Sequence, residues 1–253
     1  MDGGFLYVDL RNASTHGFLN SAPLSDEHII MKRCVKAGDV VYDIGANVGV
    51  YTVWLSKLAG TSGKVFSFEP NPAHQRCLEK TISLLENTEL LPVGLSDREG
   101  SFEFFVPEND TMASLRDWTK GDGGQVSKTS CQVTMIDGLV AAGRISVPDF
   151  IKCDIEGGEL DCFKGGRNTL NKEDAPIILF EANINSTKGY GNDISSGLDF
   201  LAELAGPRYS FFVVSEDAAL KPISTVTFQH GNILAVPKSK MDRIAGLSVD
   251  YPI

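Results

Sequence analysis

The sequence predicts an α/β protein built on a doubly wound, mostly parallel sheet. Three observations carry that expectation. Short apolar, β-branched runs recur at 40–45, 64–69, 90–95, 149–154 and 176–181. Stretches with helical spacing lie between several of them, and the first run turns through glycines into an amphipathic helix carrying Val50, Val53, Trp54 and Leu58. Strands separated by helices pair in parallel through right-handed crossovers, and ligands of such sheets bind beyond the carboxyl ends of the strands. A chain of 253 residues fits one such domain, with a core that needs no covalent staples.

Taken in order, residues 1–38 form an N-terminal segment and helix, 39–237 the domain proper, and 238–253 a peripheral tail. Phe5, Tyr7, Val8 and Leu10 suit a short strand, and the stretch from Asn12 to Pro23 reads as loop. Ser25 can cap a helix whose first turn holds Asp26 and Glu27 and whose apolar side is Ile29, Ile30 and Val35, stopping near Gly38. That helix is either packing material or a lid over the ligand pocket. After the second strand, Asn71-Pro72 opens a helix with Leu78, Ile82 and Leu85 on one face. Gly157-Gly158 opens the helix after the fourth strand, and Gly165-Gly166 closes it.

The insertion at about 100–136 breaks this rhythm. Residues 101–106 and 130–136 alternate as strands around a polar, glycine-rich loop at 107–129, which reads as a flap over substrate or cofactor, or as a surface excursion. The last third has a helix at 194–205, a strand at 209–214 and a final strand at 225–236.

Composition excludes several classes. The formal charge of −10 opposes non-specific binding to nucleic acid. Cys34, Cys77, Cys131, Cys153 and Cys162 are scattered without a Cys-x-x-Cys pair, which suits a reduced cytosol and gives no zinc signature. No signal peptide and no apolar stretch of membrane-spanning length is visible, so the expectation is a cytoplasmic protein.

The chemistry begins at the first glycine turn. In such a strand–turn–helix unit, backbone N–H groups at the helix N-terminus can face a polar ligand, while Gly45 and Gly49 allow positive φ. Asp43 ends the strand beside them, placed to accept from a ligand ammonium. Strand two ends at Glu69, 20 positions after Gly49, where one carboxylate can accept both ribose hydroxyls. Turn and distal acid together indicate a ribonucleoside cofactor. The spacing Asp43-x-Gly45-x-Asn47-x-Gly49, headed by an acid, favours a cationic ligand over a pyrophosphate. It resembles the first motif of class I S-adenosylmethionine-dependent methyltransferases.

Further motifs follow in order. They are Asp43-Ile44-Gly45-Ala46-Asn47-Val48-Gly49-Val50-Tyr51-Thr52, then Phe68-Glu69-Pro70-Asn71-Pro72 and Gly94-Leu95-Ser96-Asp97. Next come Ile151-Lys152-Cys153-Asp154-Ile155-Glu156-Gly157-Gly158-Glu159 and Phe180-Glu181. Together they resemble the FkbM-type methyltransferase family over about 40–183, with a looser likeness through 231–237. The resemblance implies a Rossmann-like, seven-stranded sheet with an antiparallel last strand, and O-methylation of a small-molecule hydroxyl, on a saccharide or secondary metabolite. It implies that Asp43, Gly45, Ala46, Asn47, Gly49 and Asp154 line the methionine end of S-adenosylmethionine. By the same resemblance Glu69 holds the ribose, and Ser96 and Asp97 meet the adenine.

Asp154, Glu156 and Glu159 cluster around Gly157-Gly158 at the end of strand four. Methyl transfer to a hydroxyl needs positioning and a proton acceptor, and a carboxylate in a cleft can be tuned to serve. Asp154 or Glu156 is the first choice, with Glu181 and His230 as further catalytic candidates. Asp154, Glu181 and Asn183 offer oxygen ligands for Mg²⁺, as the less favoured reading. No Asn/Asp-Pro-Pro-aromatic run follows strand four and no Pro-Cys is present, so DNA-base methylation is not supported. The alternatives are an RNA or protein methyltransferase, or a non-catalytic adenosyl-cofactor-binding module.

Overall fold

The computed structural model describes residues 5–9, 25–119 and 124–249. Phe5, Tyr7 and Val8 belong to no strand, while Leu10 and the loop from Asn12 to Pro23 lie outside the described residues.

The first half of the chain contains α1 (Asp26–Cys34), β1 (Val40–Ile44), α2 (Val50–Ala59), β2 (Lys64–Phe68), α3 (Pro72–Ile82) and β3 (Thr88–Leu91). The insertion supplies β4 (Gly94–Leu95), β5 (Gly100–Pro107), a 3₁₀ turn (Asp110–Met112) and β6 (Val126–Thr134). Then come α4 (Ile136–Ala141), β7 (Phe150–Cys153), α5 (Glu159–Gly165), α6 (Arg167–Leu170), β8 (Ile177–Asn183) and α7 (Ile184–Gly189). The last part holds α8 (Ser196–Ala202), β9 (Ser210–Val214), β10 (Leu220–Ile223), β11 (His230–Val236) and a 3₁₀ segment (Lys238–Ile244).

The main sheet runs β10-β9-β11-β8-β7-β1-β2-β3. Its centre is parallel, and β11 is antiparallel to both neighbours. The expected antiparallel last strand is therefore present, but the sheet has eight strands and not seven. The extra one, β10, pairs antiparallel with β9 at the edge. It contains Pro222, which cannot donate to a ladder and is confined to such edges, so the segment did not read as a strand. The run at 90–95 also divides. β3 stays in the main sheet, whereas β4 joins the hairpin β5–β6 in a separate sheet of order β4-β6-β5. Pro92 lies between them.

Successive strand residues point to opposite faces, and both faces are covered. On one side Tyr42, Ile44, Phe66, Phe68, Cys153 and Phe180 pack with Phe163 and Leu201. On the other, Val41, Val65, Phe150 and Leu179 pack with Leu55 and with Ile30 and Met31 of α1. The segment after Pro237 buries Ile244 in this second cluster, and Arg243 grips the Asp39 carboxylate beside β1. All five cysteines are free and buried. No described helix is long and apolar enough to cross a membrane.

The chain proceeds outward from β1 to β2 and β3, then returns to place β7 on the other side of β1. The reversal leaves a crevice outside the carboxyl ends of β1 and β7, the usual ligand position in such sheets. One wall of it depends on a small residue: a Cβ on Gly165 would stand 1.9 Å from the Ser96 carbonyl oxygen. Gly165→Ala should therefore displace the loop after β4 and destabilise the fold on the scale of core overpacking, about 1–3 kcal/mol or more. A urea titration followed by circular dichroism checks this.

Candidate active site

The turn after β1 is built by its neighbours. Gly45 and Gly49 have φ of +83° and +99°, and Asn47 also lies in the left-handed region at +51°. A Cβ on Gly45 would meet the Asp154 carbonyl oxygen at 1.9 Å, and one on Gly49 would meet Leu78 at 2.8 Å. The glycines thus serve close packing as well as φ. The N–H groups of Gly45 and Ala46 donate to the Phe68 carbonyl, and that of Gly49 donates to the Ala46 carbonyl. The Asn47 N–H donates to Glu69 Oε2 at 2.8 Å, and the Val48 N–H to Asn47 Oδ1. β2 and the turn itself thus take up the amides of residues 45–49, which are not free to face a ligand. Asp43 is wholly buried, does not line the crevice, and accepts the Thr52 hydroxyl at 2.6 Å.

Above this floor lies a cleft of about 650 Å³ including its open mouth. Gly45, Asn47 and Glu69 line one end, and Asp154, Ile155, Glu156 and Gly158 line the β7 side. Val93, Leu95, Phe104, Ala113 and Leu115 supply apolar wall. Its titratable lining is Glu69, His74, Asp110, Asp154, Glu156, Asp161 and Tyr190, and among the described residues no Lys or Arg lines it. Ser96 reaches the cleft, whereas Asp97 does not and sits beside Arg98 at 3.6 Å.

The flap between β5 and β6 closes over this cleft, with Asp110, Thr111, Ala113 and Leu115 facing in. Ser114 Oγ donates to the Glu156 carbonyl at 3.0 Å and lies 2.7 Å from the Tyr190 hydroxyl. At the other end His74 Nε2 donates to Asp110 Oδ2 at 3.1 Å, with His74 Nδ1 3.8 Å from Glu69 Oε1. Sequence reading missed His74, Asp110, Ser114 and Tyr190. His74 alone had a legible signal, its place in the first turn of the helix that follows Glu69.

On the β7 side of the cleft, one ligand oxygen from each of Asp154, Glu156 and Glu181 lies within 4.8 Å of the other two. Glu156 Oε2 and Glu181 Oε2 are buried without a hydrogen-bond partner. His230 Nε2 bonds to Glu181 Oε1 at 2.7 Å, so these two candidates act as a pair. Asn183 Oδ1 instead accepts the Asn185 N–H as the cap of α7. Lys152, also missed, buries its ammonium beside Asp154 Oδ2 at 3.0 Å and over the Tyr51 ring at 4.3 Å.

Residues 43–211 match the methyltransferase FkbM domain, more than half of the chain. The chain belongs to the FkbM methyltransferase domain family. Hexuronic acid methyltransferase AglP of Haloferax volcanii is 29% identical over 147 residues, covering 58% of this chain and 57% of that protein. The 2-O-methyltransferase NoeI of Sinorhizobium fredii is 30% identical over 160 residues, covering 56% and 63%. The matches thus span less than two thirds of either relative. Precorrin-6y C5,15-methyltransferase from Geobacter metallireducens superposes with a TM-score of 0.47 at 13% identity, covering 82% of this chain and 86% of that one.

Within this FkbM domain the cluster's electrostatics follow from burial. Desolvation, then the charges of Glu181 and Asp154, push the Glu156 carboxyl well above the ordinary range. Burial opposes the charge on Lys152, yet Asp154, Tyr51 and Asp43 hold its ammonium above the usual value. Glu159, whose Oε1 accepts the Ile155 N–H at 3.0 Å, is pushed up to about 8, by burial first and Glu181 second. A folded-state value above the unfolded 4.5 means the native state keeps a proton that the unfolded chain loses. Its contribution to stability should therefore fall as pH rises from about 4.5 to 8, with a slope of at most about 1.4 kcal/mol per pH unit. Glu159→Gln, which keeps the acceptor, should flatten that decline. Urea midpoints of both proteins at pH 5 and pH 8 test it.

Proposed function

We propose that this protein is an S-adenosylmethionine-dependent O-methyltransferase acting on a hydroxyl of a small molecule, in particular a saccharide. The observation that carries the reading is the cleft at the β1/β7 reversal, lined by carboxylates, one histidine and apolar wall, with the turn amides consumed. Such a lining suits a cationic nucleoside and disfavours a pyrophosphate, which would need free N–H groups or cationic side chains. Membership of the FkbM family and the hexuronic acid in the name of AglP support the acceptor class.

S-adenosylmethionine, when bound, would supply an activated methyl carbon for attack by the acceptor oxygen, its sulfur leaving as the thioether of S-adenosylhomocysteine. The chain's residues divide the remaining work. Glu69 Oε2, beside Asn47, accepts from the ribose, and Ser96 with Val93, Leu95 and Leu115 receives the adenine. Gly45 and Asn47 form the floor at the methionine end, and Asp43, Ala46 and Gly49 keep the turn in shape beneath it. Asp154, lining the cleft with a side chain 41% exposed and its ion pair to Lys152, takes the hydroxyl proton. Glu156, which burial keeps protonated near neutrality, donates to the acceptor instead of serving as base. Glu181, with His230, orients the acceptor. Mg²⁺ has no step in this reading, since Lys152 already brings positive charge to Asp154.

Calorimetric titration with S-adenosylmethionine in EDTA, repeated with Mg²⁺ and with NAD as control, should give binding that is indifferent to the metal and absent for NAD. Binding of NAD alone would end the reading. Glu69→Gln should weaken S-adenosylmethionine binding by about 1–3 kcal/mol, the scale of a hydrogen bond to a buried charged group. Asp154→Asn should keep that affinity within a few-fold while methyl transfer to a saccharide panel falls by about 10²–10⁴, the usual contribution of a general base.

A further inference from the structure

The flap over the cleft is a removable roof by construction. It belongs to the small sheet β4-β6-β5, not to the main sheet, and it contributes Asp110, Thr111, Ala113 and Leu115 to the lining. A nucleoside seated between Glu69 and Leu95 would lie beneath these residues, so lifting of the flap would widen its way in and out. One tie, Ser114 to the Glu156 carbonyl and Tyr190, is between neutral groups. The other is ionic. His74 is 2% exposed and is flanked by two carboxylates, Asp110 of the flap and Glu69 of the floor.

We propose that the His74–Asp110 pair is the latch of this flap, and that His74 is a positioning residue linking the ribose-binding carboxylate to opening and closing of the cleft. Glu69 accepts the Asn47 N–H at 2.8 Å through Oε2 and the Asn71 N–H at 2.7 Å through Oε1. One carboxylate thus fixes the turn after β1 and the start of α3 and meets the imidazole. The imidazole in turn holds the 3₁₀ turn at Asp110–Met112 in place. A ligand that draws on Glu69 acts on the same run of charge contact and hydrogen bond that secures the roof. The inference rests on the cofactor reading for what enters the cleft, but the latch itself is a property of the free protein.

The groups facing His74 are Glu69 from the end of β2 and Asp110 from the flap, with the buried Cys131 thiol of β6 facing Glu69. Burial works against the imidazolium, but the hydrogen bond to Asp110 and the negative charges of Glu69 and Asp110 outweigh it and raise the imidazole to about 9. The sign follows from a raised folded-state value: the latch is intact below neutrality and is lost as pH rises through about 9.

Hydrogen–deuterium exchange on the full, cofactor-free chain tests this, comparing wild type with His74→Gln and Asp110→Asn at pH 7. Phe105 and Ser114 exchange amide bonds with each other's carbonyls at 2.9 and 3.0 Å and report the flap directly. Both variants should speed exchange there on the order of tenfold, the scale of one lost charge-assisted hydrogen bond, while amides of β1 and β8 keep their protection. After correction for intrinsic rates, the wild type should converge on the variants above about pH 9, and the variants should show no such step. Dissociation of S-adenosylhomocysteine should quicken in parallel. Unchanged exchange at 105–119 in Asp110→Asn would overturn the latch. If His74→Gln loses protection throughout, Asp110→Asn decides, because it leaves the imidazole and α3 packing in place. Flap opening in the variants with no binding of S-adenosylhomocysteine to the wild type would uphold the latch and refute the cofactor reading.

Discussion

The site depends on one close approach, that of the turn after β1 to the end of β7. At Gly45 the backbone of the turn lies so near the Asp154 carbonyl that no side chain fits. Gly157, at φ +96°, is pressed the same way against the backbone of Ser186, where a Cβ would stand 2.5 Å from a carbonyl oxygen. The segment from Asp154 to Gly158 is therefore wedged between the β1 turn and α7. Two groups far apart in sequence, Asn47 with Glu69 and Asp154 with Glu156, become opposite sides of one cleft. Loosening either glycine contact would separate the two sides of the cleft.

That wedge forces several acids into a low-dielectric space, where like charges disfavour full ionisation. The fold answers with one buried ammonium. Asp43 and Lys152 are register partners on β1 and β7, and Lys152 and Asp154 project from the same face of one strand. The cation is thus delivered by sheet geometry, with the Tyr51 ring at its back. What remains is a net-negative recess whose buried carboxyls hold their protons above the ordinary range.

The sequence made the central strands legible because buried parallel strands read as continuous apolar runs bounded by turn residues. It also revealed the residues that end those strands, since Glu69, Asp154 and Glu181 follow directly on the runs. Features that depend on pairing between distant segments were not legible. Nothing local distinguishes a turn whose amides are free from one whose amides are taken by Phe68 and Glu69. Pro222 hid an edge strand, and the division between Leu91 and Gly94 followed from which partners each half found. Lys152 and His74 looked like ordinary helix or strand polar residues until folding surrounded each with carboxylates. Asp97 matched a motif by position, yet the chain turns its side chain toward Arg98.

The insertion begins and ends at one place in the small sheet. It leaves at β4 and returns at β6, and the two are paired side by side, Gly94 with Val133 and Leu95 with Thr134. A segment whose ends meet at one hydrogen-bonded seam can lengthen, shorten or change composition without moving the strands below it. The roof can therefore be remodelled while the strands of the main sheet and the turn after β1 stay fixed.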